Sequence, residues 1–250
     1  MKFRQHAIGL VLGLCGTLAS GVALAGVEEG IAAYGKGNYA QALRELKSLA
    51  MQGDANAQYN LGVMYADGRG VAQDFKEAMK WFQLVAAQGD AKAQYALGVL
   101  YGNGQGVAAF KEAAKWFRLA AAQGMANAQF DLGVLYGVGV GVAQDDKEAV
   151  KWFRLAAAQG YAKAQFSLGA SYEYSLGVAV SRVVAYALYN LSAANDPAST
   201  NFATEKRANL MAAMSAQEIE AGQALTRELS KPGNFLNALD ANAKKFTAGK

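Results

Sequence analysis

The sequence predicts an all-α protein built as an array of repeated helix pairs. Three observations carry that prediction. Three blocks of 36, 35 and 36 residues line up, at 54–89, 90–124 and 125–160, and an eroded fourth follows at 161–195. Each block contains two apolar stripes of helical period. Only two prolines occur in 250 residues, so nothing interrupts long helical stretches.

The elements follow in chain order. Lys2 and Arg4 precede the apolar run "AIGLVLGLCGTL", and Ala23-Leu24-Ala25 offers a small-residue cleavage site before Gly26. That order is a secretory signal at 1–25. The alternative is an uncleaved anchor, which the Gly, Ala and Ser content disfavours. Cys15 follows Leu14 inside the apolar core, so it is not placed as a lipoprotein cysteine. A mature chain that is periplasmic or secreted is expected, without stable membrane insertion. Cleavage removes His6 and Cys15, the one histidine and the one cysteine, and lowers the formal net charge from +4 to +2. Without imidazole or thiol there is no Ser-His-Asp triad, cysteine nucleophile, histidine metal site or disulfide framework. The remaining charge is near neutral outside the tail, which argues against nucleic acid as a partner.

Residues 26–53 read as a helical pair that caps the array. Its first helix ends near Gly35, and Asn38 is placed to cap the second. In the first block, Ala57, Leu61 and Tyr65 define the face of helix A. Ala78, Trp81, Phe82 and Val85 define that of helix B, which Gly89 ends. Asp74 and Asp145 are suited to start B helices, while Ala109-Phe110 makes a poorer start in the second block. Gly62, Gly98, Gly133 and Gly169 sit inside helix A, where each costs about 1 kcal/mol against alanine. Close approach of helix B is the expected reason, with Trp81, Trp116 and Trp152 as the expected rings, each able to bury roughly 150–250 Å².

The pattern A-x-x-x-L-G-x-x-Y-x-x-G-x-G-V, then A-x-x-W-F-x-x-A-A-x-x-G, resembles the Sel-1-like repeat of the tetratricopeptide superfamily. The resemblance covers 54 to about 195. It implies an α/α superhelical solenoid that binds proteins or peptides, as in secreted bacterial members. These include envelope adaptors, host-facing proteins and immunity proteins that neutralise a toxic effector. Cysteine-rich relatives linked to β-lactams are a poorer match, since the chain lacks their disulfides and contains no Ser-x-x-Lys.

After the repeats, Asp196-Pro197 starts a helix. Ser215 with Glu218 forms a capping box, with Met214 and Ile219 as a staple. Helices are expected at about 197–213 and 216–230, making a C-terminal cap over 196–231. Lys231-Pro232-Gly233 then ends the fold, and 232–250 reads as a tail in which Phe235, Leu236 and Leu239 are able to dock.

The candidate sites follow from alignment of the blocks. "YGVGVGVAQDD" at Tyr136–Asp146 has no Gly-Lys-Ser/Thr ending and no third glycine of a dinucleotide fingerprint. It is the turn between helices A and B. No cofactor, metal or catalytic residue is expected. Two turn positions change character along the array: Asp67, Asn103, Val138, Tyr174, and Arg69, Gln105, Val140, Leu176. Either the C-terminus covers this apolar edge or a partner docks there, and the exposure of Val138, Val140, Tyr174 and Leu176 decides. A second candidate is the helix A face, with Asn56, Lys92, Asn127 and Lys163 in one row and Asn60, Ala96, Asp131 and Ser167 in another. Glu77 with Lys80, Glu112 with Lys115 and Glu148 with Lys151 read as solubilising helix pairs. The expected function is a non-catalytic scaffold for another protein or peptide in the envelope. The alternatives are an immunity protein and, less favoured, an envelope-acting hydrolase.

Overall fold

A computed structural model describes residues 21–104, 109–196 and 200–247. The predicted signal at 1–25 lies outside them as far as residue 20, as do Gln105 and Pro197. Among the described residues there are thirteen helices and no strand. They are α1 (Gly21–Gly35), α2 (Tyr39–Met51), α3 (Ala55–Asp67), α4 (Phe75–Ala86), α5 (Ala91–Gly102), α6 (Phe110–Ala122) and α7 (Ala126–Val138). Then come α8 (Asp146–Ala158), α9 (Ala162–Tyr174), α10 (Arg182–Asn195), α11 (Thr200–Ala212), α12 (Ala216–Leu229) and α13 (Phe235–Thr247).

The helices fall into two compact units, residues 1–120 and 121–250. In the first unit, α1 packs on α2 and α3 on α4, while α2 meets α3 and α4 meets α5. One core cluster joins α1, α2 and α3 around Leu46, Leu61 and Met64. A second joins α3, α4 and α5 around Phe82, Leu97 and Leu100. In the second unit, α7 packs on α8 and α9 on α10, and α10 is also covered by α11 and α12. Its core is continuous from Phe153 through Leu168, Tyr189 and Leu191 to Leu229, Phe235 and Leu239.

Helix starts are set by short polar side chains that accept from the orphan N–H groups of the first turn. Asp54, Asp74, Asp90, Asp145 and Ser181 each do so, as does Asn38 for α2. Ser215 and Glu218 form the reciprocal capping box of α12. The predicted Glu–Lys pairs on α4, α6 and α8 are all present.

Two expectations are corrected. The helix A glycines do not lie under tryptophan. A Cβ added at Gly62 would sit 2.8 Å from the Phe82 ring, at Gly98 2.5 Å from Phe117, and at Gly133 2.7 Å from Phe153. At Gly169 the ring is that of Tyr189, 2.9 Å away. Phenylalanine follows tryptophan by one residue, so the two rings leave the helix about 100° apart. Trp81 packs instead on the cluster of α1, α2 and α3, and Trp116 on that of α3, α4 and α5. Both remain partly buried, so neither contributes a full tryptophan burial.

Nor is the stretch after Lys231 a tail throughout. Phe235–Thr247 is a helix, α13. Phe235, Ala238 and Leu239 are buried in the core of the second unit. Spacing of i, i+3, i+4 puts these three on one face, and burying that face offsets the ordering of the helix. Asp240 then pairs with Arg154 on α8.

Candidate functional site

The turns between helices A and B form the first candidate surface. Each turn leaves helix A through a left-handed residue. Gly139 does so at φ 74°, while Ser175 holds the equivalent place in the fourth repeat at φ 62°. Ser175 donates its hydroxyl to the Val178 carbonyl at 3.2 Å, which offsets part of the strain.

In the first unit the turn is polar and tied down. The Tyr34 hydroxyl donates to Asp67 Oδ2 at 3.0 Å. The Arg69 guanidinium lies 5.5 Å from the Tyr34 ring centre and 5.8 Å from that of Tyr39. Burial, and then the Asp67 charge, push the Tyr34 phenol up to about 12. Asp67 and Arg69 are therefore committed to the N-terminal pair.

In the second unit the equivalent residues face water. Val138 is 50% exposed, Tyr174 51% and Leu176 44%, while Val140 is half-buried. Val180 and Phe202 are exposed as well, Phe202 the most at 72%. Lys206, one turn beyond Phe202 on α11, donates to the Tyr174 hydroxyl at 2.7 Å and sits 5.1 Å from its ring centre. This places the Phe202 side of α11 beside the fourth turn. The hydrogen bond to Tyr174 raises the pKa of Lys206. The C-terminal helix does not cover this edge, because α13 packs on α8, α10 and α12 instead.

The helix A face is less open than its sequence pattern. Asn56, Lys92, Asn127 and Lys163 are half-buried. Asn60 is 1% exposed and Asp131 7%, and Ala96 is buried beside them in register. Asn60 and Asp131 are thus withdrawn from a solvent-facing row. The cause is packing on more than one side. α3 lies between α2 and α4, and nine of its thirteen residues are buried. Asn60 donates to the Asn56 carbonyl at 2.9 Å, and its own Oδ1 has no partner. Burial, then the Asp131 charge, push the Tyr161 phenol up to about 12.

Sequence reasoning passed over a third feature. Gln58, Gln94, Gln129 and Gln165 occupy one register and are 2–6% exposed. Each amide reaches back to the last turn of the helix B before it. Their acceptors are the carbonyls of Ala50, Ala86, Ala121 and Ala157. The last two glutamines also accept from Gln159 and Asn195, at 2.8 and 2.9 Å. The sequence carries only a repetition, Ala-Gln before Leu-Gly in every block, with nothing to name the acceptor.

The second unit also holds a cleft of about 570 Å³ between Gln165, Asn195, Leu191, Leu229 and Phe235. Its lining includes no carboxylate, so it offers no acid–base pair. Among the described residues no cluster of three His, Cys, Asp or Glu is placed to hold a metal ion. No described helix is long and apolar enough to cross a membrane.

Residues 55–90, 91–125, 126–161 and 162–197 each match the Sel1 repeat. The chain is similar in structure to c5321, a protective antigen present in uropathogenic Escherichia coli strains displaying an SLR fold. The identity is 33% and the TM-score 0.76, over 91% of this chain and 49% of that one. The chain thus spans about half the length of c5321. It is also similar to a Sel1 repeat protein from Oxalobacter formigenes, at 35% identity and a TM-score of 0.63 over 67% of each chain. No curated protein matches the sequence.

Proposed function

Because the chain belongs to the Sel1 repeat family of all-α solenoid scaffolds, whose repeats commonly mediate protein interactions, we propose that it is a non-catalytic scaffold of the bacterial cell envelope that binds a protein or peptide. The observation that carries the reading is the apolar edge of the second unit. Val138, Tyr174, Leu176 and Phe202 are each 44–72% exposed. Large side chains left in water at two neighbouring turns and on α11 support this reading, since a lone protein gains by burying them. The envelope location rests on the predicted signal, with cleavage after Ala25.

The test compares the mature chain with a Val138→Ser, Tyr174→Ser, Leu176→Ser, Phe202→Ser variant. A photocrosslinker at position 140 is used in envelope extracts. The expected result is a crosslinked protein that the variant no longer captures, while its helicity and melting temperature stay at the wild-type value. Equal capture by both would overturn the edge as the binding surface. N-terminal sequencing of the exported protein should begin at Gly26.

A further inference from the structure

Asn103-Gly104 is the one Asn-Gly step in the chain. Asn103 closes α5 at φ −83° and ψ −4°, and Gly104 follows in the left-handed region at φ 68°. The tip of the Asn103 amide is buried, and neither its Nδ2 nor its Oδ1 has a hydrogen-bond partner among the described residues. Asp67 stands at the same place in the first repeat and is held differently. It accepts from the Tyr34 hydroxyl at 3.0 Å and lies 3.9 Å from the Arg69 Nε. A polar group without a partner loses no hydrogen bond when it moves, so the Asn103 carboxamide turns more freely than a bonded one.

The nucleophile nearest to that carboxamide in the chain is the backbone nitrogen of Gly104. In the folded turn its N–H donates to the Tyr101 carbonyl at 3.1 Å. Rotation about the Cα–C bond of Asn103 breaks that one bond and swings the nitrogen towards Cγ. The last turn of a helix is where such opening costs least, and glycine on both sides of Asn103 eases it. We propose that Asn103 is a site of spontaneous covalent modification, deamidating through its own backbone. The Gly104 nitrogen gives its proton to solvent and attacks Cγ. The N–Cγ bond forms, the Cγ–Nδ2 bond breaks, and Nδ2 takes up a proton and leaves as ammonia. Water then opens the five-membered imide at either carbonyl, which gives aspartate or isoaspartate. Nothing is oxidised or reduced. The first step is intramolecular, so burial of the amide does not block it, and Gly104 is exposed to the water that completes it. The new carboxylate stands at the negative end of the α5 dipole, without the phenol and guanidinium that meet Asp67. The modified turn therefore loosens.

The mature protein is held folded in mildly alkaline buffer, then digested and read by mass spectrometry. The peptide carrying Asn103 should gain about one dalton, as isoaspartate and aspartate together, with one ammonia released per modified chain. Peptides carrying Asn60 or Asn127 should stay unchanged. Asn103→Gln should abolish the gain, because the larger ring closes far less readily. Asn103→Asp should reproduce the outcome, with faster hydrogen exchange in the last turn of α5. The chain in denaturant is the control, since there Asn103 converts whatever the fold does. An Asn103 that stays intact in the folded protein while the denatured chain converts would overturn the proposal. So would conversion spread evenly over the asparagines, or aspartate without isoaspartate, which would mean direct hydrolysis by water.

Discussion

At position 98 there is room for a hydrogen atom and no more. A Cβ there would lie 2.5 Å from two carbons of the Phe117 ring, and Phe117 is fully buried, so the ring has nowhere to turn. Alanine gains about 1 kcal/mol of helix propensity over glycine. Overpacking costs about 1–3 kcal/mol and more for larger groups. Gly98→Ala should therefore be neutral to moderately destabilising, and Gly98→Leu severely so, by denaturant titration. A leucine variant with wild-type stability would mean that α5 and α6 do not approach as described. The glycines were legible from their repeated register alone. Their partner was not, because adjacent residues of a helix differ by about 100° and a sequence does not say which of Trp or Phe points inward. Asn60 and Asp131 show the same limit. Periodicity finds one buried face, and a helix packed on two sides has few positions left in solvent.

Helix ends follow a rule that the third and fourth repeats break. Asp54 and Asp90 cap α3 and α5 through their carboxylates, whereas Met125 and Tyr161 stand in the same place with no side-chain bond to the first turn. Met125 is half-buried, so its replacement leaves no large cavity. Met125→Asp should supply the missing acceptor and stabilise the protein by about 0.5–2 kcal/mol. Thermal melting checks this, and a lower midpoint would count against the cap. The helix pairs, the Asn38, Asp74 and Asp145 caps and the capping box could be read beforehand, because each rests on residues within one turn, whereas Asp196 ends α10 and α11 begins at Thr200. The buried glutamines could not, although their Ala-Gln motif repeats four times. An amide whose acceptor lies on another helix is a tertiary fact, visible in sequence only as an unexplained repetition.

At the scale of the whole molecule, α13 decides how the second unit ends. A chain stopped after Gly233 would uncover Leu191, Leu229 and Leu239's former site, and would leave Arg154 without Asp240. Truncation should lower the melting temperature and promote aggregation, whereas Asp240→Asn alone should cost little, because that carboxylate is about half-exposed. Light scattering separates the two. A terminal pair with a bare apolar face is unstable in any stacked array, and here two successive helices cover it. Lys-Pro-Gly looked like an ending because it does end a helix. That another helix begins two residues later depends on an open apolar face, which local turn chemistry does not reveal.

The backward-reaching glutamines have one more consequence. Each repeat carries its own fastener, and the catch is a main-chain carbonyl of alanine, which any preceding pair can offer. Gln58 already uses Ala50 of the non-repeat pair α2 in this way. Chain length is therefore open to editing by whole modules. A duplicated stretch such as 126–161 arrives with a ready-made coupling at its front and a matching socket at its back, so the protein can lengthen its reach without inventing a new connection.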